Sequence, residues 1–563
     1  MLKLIKVYNT VIGAALSPCY ICLLLLPPVR IQEFLLHFYY YILLDQTRRI
    51  QQLQLLLLLS YNNSRIKMDE SKSTTGTSCS DDISEKQEPQ FCLRWERYSY
   101  APQRPRGTSI ILRDDENARN LSPVIKYSIS IAVLYTAFVA TFGNSTYTGG
   151  MPGVMTSFGT SKTLATIPIS CYSAGLGIGA LFSTAFSEVF GRRIVYRVTA
   201  PLALVFTLLG GCATNFGTVA IARALAGLFA SPCLTVGGGI ISDVWNISLE
   251  KTGTIFAALF VLFVVAGTQT GPMAGAAIIT NHSWRWEFWV SAILFGGSTI
   301  IAYLLPETYQ PQILRQRAEA RMGLIATRAT LTRLVLTSLG RPLHMLLVEP
   351  TVFPTGLVMA ITQSVVFSYF VSYATLFQKI YHHSPYAVGM AFCPLIIGSI
   401  TAIPTIAIFD QIFYRKPRIE AIRTGTKVAP EKRLYPAMLG SITLPISLFW
   451  LAWTGRADIP SIIPILSGGL FGFSFVLTML CLPVYHSDFY TAHYSASMLA
   501  ALTFMRFFIS ASFPLITPTI LDILGFTWAT SMLGFVTVAL IPIPWILYRF
   551  GPYLRTKSCY IQA

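Results

Sequence analysis

Residues 253–279 read GTIFAALFVLFVVAGTQTGPMAGAAII, a run without one charged side chain. A helix crossing a hydrocarbon core about 30 Å thick needs roughly 20 apolar residues, so this stretch is a membrane span. Within it, Gly267, Gly271 and Gly275 recur at every fourth position and share one helix face. Such a face lets a second helix approach closely, and Pro272 beside it removes a backbone hydrogen bond and bends the helix. Working outward, eleven further apolar windows follow the same rule, giving twelve from residue 123 onward. They cover approximately 124–143, 164–186, 195–213, 216–241, 253–279, 288–305, 351–376, 387–409, 434–454, 460–484, 495–520 and 526–548. The expected fold class is an all-α polytopic membrane protein.

Composition agrees. Of 563 residues, 53% are apolar and 12% charged, against about 25% charged in an average soluble domain. The mean hydropathy of +0.56 excludes an ordinary soluble globule, and 13% aromatic residues exclude a disordered chain. The net charge of +17 suits anionic lipid at one membrane face rather than nucleic acid. The ten cysteines are irregularly spaced, several inside apolar runs; the one CxxC, Cys19 to Cys22, has no second pair and no histidines at ligand spacing. Neither a disulfide framework nor a metal site is expected.

The connectors set the orientation. With residue 123 inside, the inner connectors and C-tail carry twenty lysines and arginines, from Arg192 to Lys557, whereas the outer ones carry Lys162, Arg285, Lys379 and Arg456. The positive-inside rule then places both ends of the twelve-span unit in the cytoplasm. Two N-glycosylation sequons, at Asn144 and Asn281, fall on the outer side of this topology. The longest inner connector, 306–350, divides the spans into halves at 123–305 and 351–548, followed by a C-tail at 549–563. Two six-helix halves facing a central cavity are the expected layout. Ser242-Asp243 closes span 4 and Ser487-Asp488 follows span 10, an internal echo of the two halves. Ahead of them, residues 1–67 form a hydrophobic extension broken by Pro27-Pro28, and residues 68–122 a Ser/Thr/Asp/Glu-rich cytoplasmic tail. The change of character at Met68 predicts that native translation starts there.

Several motifs carry chemistry. GALFSTAFSEVFGRR, Gly179 to Arg193, closes span 2 with a small-residue helix end, an acid and a turn glycine. Glu188 has Arg192, Arg193 or a residue of the facing half as partners, and Gly191 permits the tight turn. Such a pair at the cytoplasmic rim can latch an outward-facing state; the same charges also satisfy topology alone. In span 4, IARALAGLFAS places Arg223 four residues before Gly227. An arginine at that depth costs about 2.5–3.5 kcal/mol on insertion scales, so it faces the bundle interior or snorkels to the outer helix end. WRWEFWVSAILFGG (Trp284 to Gly297) opens span 6. RLYPAMLGSITLPISLFWLAWT (Arg433 to Thr454) forms span 9, and SASMLAALTFMRFFISASFPL, with Arg506, forms span 11.

Together these stretches resemble the fungal twelve-span drug:proton antiporter family of the major facilitator superfamily, which includes yeast polyamine and multidrug exporters. The likeness covers about residues 120–558. It implies the major facilitator fold and proton-driven export by alternating access, with Gly267, Gly271, Pro272 and Gly275 as the antiporter motif. It also assigns the latch to Glu188, Gly191, Arg192 and Arg193, and proton coupling to Arg223. Cavity-lining positions on the spans expected to face the substrate are Tyr135, Gln269, Gln363, Phe367, Tyr369, Tyr373 and Phe473; aromatic surfaces suit promiscuous binding and amides fix orientation. The chain departs from the family in span 7, where ITQSVVFSYFVSYATLFQ has Gln363-Ser364 and neutral Val371 in place of a Tyr-Gly pair and an acid. Neutral or amphipathic drugs therefore fit better than polyamines. The implied partners are a small-molecule substrate, protons and lipid, for a monomer in the plasma membrane or, alternatively, the vacuolar membrane. No cofactor is expected: the chain has no GxxxxGK[ST] phosphate loop and no dense histidine clusters. An uptake carrier or a non-transporting sensor on the same fold is the alternative reading.

Overall fold

The computed structural model describes residues 118–560, apart from 247–249, 323–327, 425–428 and 491. The extension 1–67 and almost all of the tail 68–122 lie outside the described residues. Eleven helical stretches are long and apolar enough to cross a membrane. Spans 1 to 6 are Pro123–Phe158, Lys162–Phe190, Arg192–Gly211, Phe216–Val244, Thr252–Asn281 and Arg285–Leu304. Spans 7 to 10 are Val352–Lys379, Pro385–Tyr414, Pro430–Thr454 and Ile462–Ser487. The last stretch, Tyr494–Thr556, has 63 residues. As one helix it would run roughly 95 Å, three times a hydrocarbon core. Gly525 breaks it, with φ 72° and ψ 169°, a conformation that favours glycine. The chain therefore passes twice here, as spans 11 and 12, and twelve times in all among the described residues.

Span 1 ends fifteen residues later than the sequence reading placed it, at Phe158 instead of 143. Gly149, Gly150, Pro152 and Gly153 have the composition of a loop, but the helix uses two of the glycines for close packing. A Cβ on Gly149 would lie 2.7 Å from the Ala276 nitrogen of span 5, and one on Gly150 would lie 2.7 Å from the Glu287 carboxyl carbon of span 6. Asn144 is consequently inside span 1 and buried, so its sequon is not on an outer loop; Asn281, at the end of span 5, is exposed.

Two large apolar cores hold the fold. One is built from spans 1 to 6 and receives Phe507 of span 11; the other is built from spans 7 to 12 and receives Val265 of span 5. Spans 5 and 11, the equivalent helices of the two halves, thus each insert into the opposite core. Gly177 of span 2 lets span 11 approach, with the Phe508 nitrogen 3.0 Å from where a Cβ would stand. Helices Gln310–Met322 and Arg328–Val348 join the halves.

Candidate functional site

The glycine face of span 5 lies against span 1. A Cβ on Gly271 would stand 2.7 Å from the Thr146 nitrogen, and one on Gly267 3.0 Å from the Phe142 nitrogen. Any side chain at these positions would therefore push the helices apart. Ser145 Oγ donates to the Gly267 carbonyl at 3.2 Å, tying the crossing together. Span 1 stays helical through Thr146, with φ −56° and ψ −41° and its N–H bonded to the Phe142 carbonyl. Within this helix Arg223 of span 4 engages two backbone carbonyls: Nη1 donates to the Gly143 carbonyl at 2.5 Å and Nη2 to the Asn144 carbonyl at 2.8 Å. Its guanidinium lies over the Tyr172 ring, 4.3 Å from the centre. Arg223 is buried and does not snorkel. Gly275, the last glycine of the face, faces Gly149 and the carboxylate of Glu287. Glu287 lies in the first turn of span 6, yet is 2% exposed.

A second polar set lies in the interior. Ser399 of span 8 donates to Gln269 Oε1 of span 5 at 2.9 Å, a bond between the two halves. Arg506 Nε of span 11 donates to Gln363 Oε1 of span 7 at 2.8 Å. Gln269 Nε2, Gln363 Nε2, Arg506 Nη2 and the Tyr369 hydroxyl are buried without a hydrogen-bond partner. Unsatisfied buried groups are rare in folded proteins and mark places where water or a ligand bonds. Tyr369 stacks on Phe471 and Tyr373, with ring centres 4.4 and 4.9 Å apart, while the Tyr373 hydroxyl donates to the Ala391 carbonyl. Phe367 joins the second core and Phe473 packs against it. Tyr135 donates to the Leu294 carbonyl of span 6. Arg506 was not among the candidates read from sequence, although a lone arginine in an apolar span is itself a signal.

At the end of span 2, Glu188 pairs with Arg341 at 3.2 Å and accepts from Ser338 at 2.9 Å. Both partners lie on the helix leading into span 7, so this bond ties span 2 to the second half. Arg192 turns instead to Asp243, at 3.2 Å. Its backbone N–H and that of Arg193 donate to the Glu307 carboxylate, which caps the start of span 3. Gly191 has φ 93°, and Glu307 occupies the space a Cβ would need. Burial pushes the nearby Tyr309 phenol up to about 12, aided by Glu188. Among the described residues no group of three or more His, Cys, Asp or Glu is placed to hold a metal.

The Major Facilitator Superfamily model matches residues 133–514. Polyamine transporter 4 of Saccharomyces cerevisiae is 31% identical over 476 residues, 79% of this chain and 72% of that protein. The multidrug transporter mdrA of Aspergillus fumigatus is 32% identical over 459 residues, 79% and 74% of the two chains. The probable drug/proton antiporter YHK8 of S. cerevisiae is 30% identical over 464 residues, 79% and 88%. Among solved structures, the proton:xylose symporter XylE superposes with a TM-score of 0.56 at 15% identity, over 77% of this chain and 96% of that one; at that identity the likeness concerns the fold.

Proposed function

The chain belongs to the Major Facilitator Superfamily, and from that premise we propose that this multi-pass membrane transporter is an antiporter, exporting drugs or other amphipathic small molecules in exchange for protons. The observation that carries the reading is the crossing of spans 1 and 5. Three glycines press span 5 onto span 1, and a buried arginine from span 4 holds two of span 1's backbone carbonyls beside the crossing. A contact with so little slack has two arrangements, closed or parted, and opening and closing it alternately gives access to each side. The names of the relatives, a polyamine transporter, a multidrug transporter and a probable drug/proton antiporter, support export.

Within the substrate class, Arg506 beside Gln363 makes that part of the interior cationic. This favours neutral and amphipathic molecules over polyamines. Glu188 with Arg341 acts as the cytoplasmic latch. Gln269, Gln363, Tyr369 and Arg506 meet the substrate through the polar atoms that lack partners. Twelve passes put both ends of the unit on one face, taken here as the cytoplasmic face of the plasma membrane, and the chain works as a monomer. The test is transport into proteoliposomes of the full chain under an imposed pH gradient. A gradient-driven azole accumulation that Gly271→Leu abolishes supports antiport; sugar flux indifferent to protons supports an uptake carrier instead.

A further inference from the structure

Glu287 occupies an unusual position for a carboxylate. It is 2% exposed, and beyond the backbone N–H of Gly150 no group donates to its oxygens. The walls around it come from three spans. Gly150 of span 1 and Gly275 of span 5 each leave just the room of a missing Cβ, which the carboxyl group of span 6 fills. Phe288, next in sequence, lies edge-on to Tyr147 of span 1 at 6.1 Å between ring centres. The cation facing this pocket is Arg223, whose guanidinium is 5.5 Å from the Tyr147 ring centre and 5.9 Å from that of Phe288. Its Nε has no partner, and its two terminal nitrogens are committed to the Gly143 and Asn144 carbonyls. An ionised carboxylate enclosed this way, with one backbone N–H and a guanidinium already committed to two carbonyls, is disfavoured, whereas the neutral acid is tolerated.

We propose that Glu287 is the proton-carrying group of the exchange, holding the proton between Gly150 and Gly275 while spans 1 and 5 are in contact and releasing it when they part. The proposal rests on the antiport reading above and names the group that reading lacks. The step is a simple ionisation. As the glycines of spans 1 and 5 separate, water reaches the carboxyl group, its O–H bond breaks, the proton passes to water, and the carboxylate is left facing Arg223. Closure of the pocket requires the proton back. Because the walls are the same helices whose crossing alternates, proton binding and conformation are tied to one another without a carboxylate in the second half.

The test uses the full chain in proteoliposomes, with rhodamine 6G and spermidine as probes, comparing the wild type with Glu287→Gln and Glu287→Asp. The amide keeps the shape of the neutral acid and cannot ionise. Glu287→Gln is expected to lose at least tenfold of the accumulation driven by a pH gradient while keeping downhill probe efflux, and Glu287→Asp to retain part of the driven transport. Normal driven accumulation by Glu287→Gln overturns the proposal alone. Loss of downhill efflux together with driven transport also overturns it, by making Glu287 structural. A wild type that moves probe without proton counterflow overturns the antiport reading and this proposal together. An infrared spectrum of the purified chain at neutral pH needs no transported compound. It is expected to contain the carbonyl stretch of a protonated carboxyl group that Glu287→Gln removes, and its absence from the wild type contradicts the proposal.

Discussion

Arg192 at the start of span 3 pairs with Asp243 at the end of span 4, and Arg433 at the start of span 9 pairs with Asp488 at the end of span 10. The two halves thus repeat one device at corresponding helix ends, each carried by a Ser-Asp dipeptide. Deeper in, the repetition stops. In the first half a buried arginine meets backbone carbonyls beside a buried glutamate; in the second, Arg506 meets the amide of Gln363. Gln363 cannot ionise, and arginine does not give up its proton in proteins. The Arg506–Gln363 pair therefore keeps its charge, whereas the first half sets an ionisable glutamate beside its arginine. The two rim pairs stand at corresponding helix ends of the two halves, while the interiors diverge.

The strongest way to break this comparison is at the helix crossing that span 11 does not repeat. Span 11 has no glycine between Tyr494 and Leu524; its crossing with span 7 sets Gly356 against the Met505 side chain, and the tight glycine-to-backbone contacts of the second half lie between spans 8 and 10. Gly271→Leu, with overpacking worth about 1–3 kcal/mol applied at the moving contact, is expected to abolish transport while the protein still reaches the membrane. Normal flux from a correctly delivered variant would contradict it. At the rims, Asp488→Asn should destabilise more than Asp243→Asn. The Arg433–Asp488 side chains are 8% and 5% exposed, against 6% and 18% for Arg192–Asp243. Breaking the more enclosed pair is expected to cost about 3–5 kcal/mol, read as the larger fall in the unfolding temperature of the purified chain. Equal falls would make the two rims energetically alike.

The interiors are compared by removing each arginine. Arg223→Leu strands two buried carbonyls, about 1–3 kcal/mol each, and is expected to stop driven transport. Arg506→Leu strands one amide oxygen and is expected to change the affinity for substrate several-fold while proton coupling survives. Counterflow assays at varied probe concentration separate the two, and loss of coupling in Arg506→Leu would erase the division of labour. The smallest effect concerns a tie outside the membrane. His344 Nδ1 lies 2.6 Å from the hydroxyl of Tyr560 in the C-tail, and burial holds the imidazole below its ordinary 6.5. A depressed value means the docked state binds fewer protons, so docking is complete above pH 6.5 and weakens as acidification protonates the ring. Hydrogen exchange of residues 557–560 should accelerate relative to span 7 as pH falls from neutral toward 5, and His344→Phe should remove that dependence.

Much of the fold was readable because a membrane span leaves a long apolar window, and Gly525 stands where the last window divides. The far end of span 1 was not, since Gly149, Gly150, Pro152 and Gly153 look like a loop until Gly275 and Glu287 pack against them. Of the site, Arg223 and the glycine face were legible because each signal lies within one helix: a charge in an apolar run, and a four-residue period. Gln363 and Gln269 stood out as amides in apolar spans, but their partners Arg506 and Ser399 are more than a hundred residues away in sequence. Arg341, 153 residues from Glu188, read only as a topology charge. Glu287 sits beside Trp284 and Arg285, the marks of a helix start near the outer surface, and its enclosure arises only when spans 1 and 5 close over it.

The most direct test of proton-coupled export is simultaneous recording of probe and proton movement in proteoliposomes under an imposed pH gradient, using an azole, a polyamine, a weak organic acid and a sugar. The account expects substrate-dependent proton counterflow with the azole and little with the polyamine. Flux of any compound that neither moves protons nor responds to the gradient would contradict it.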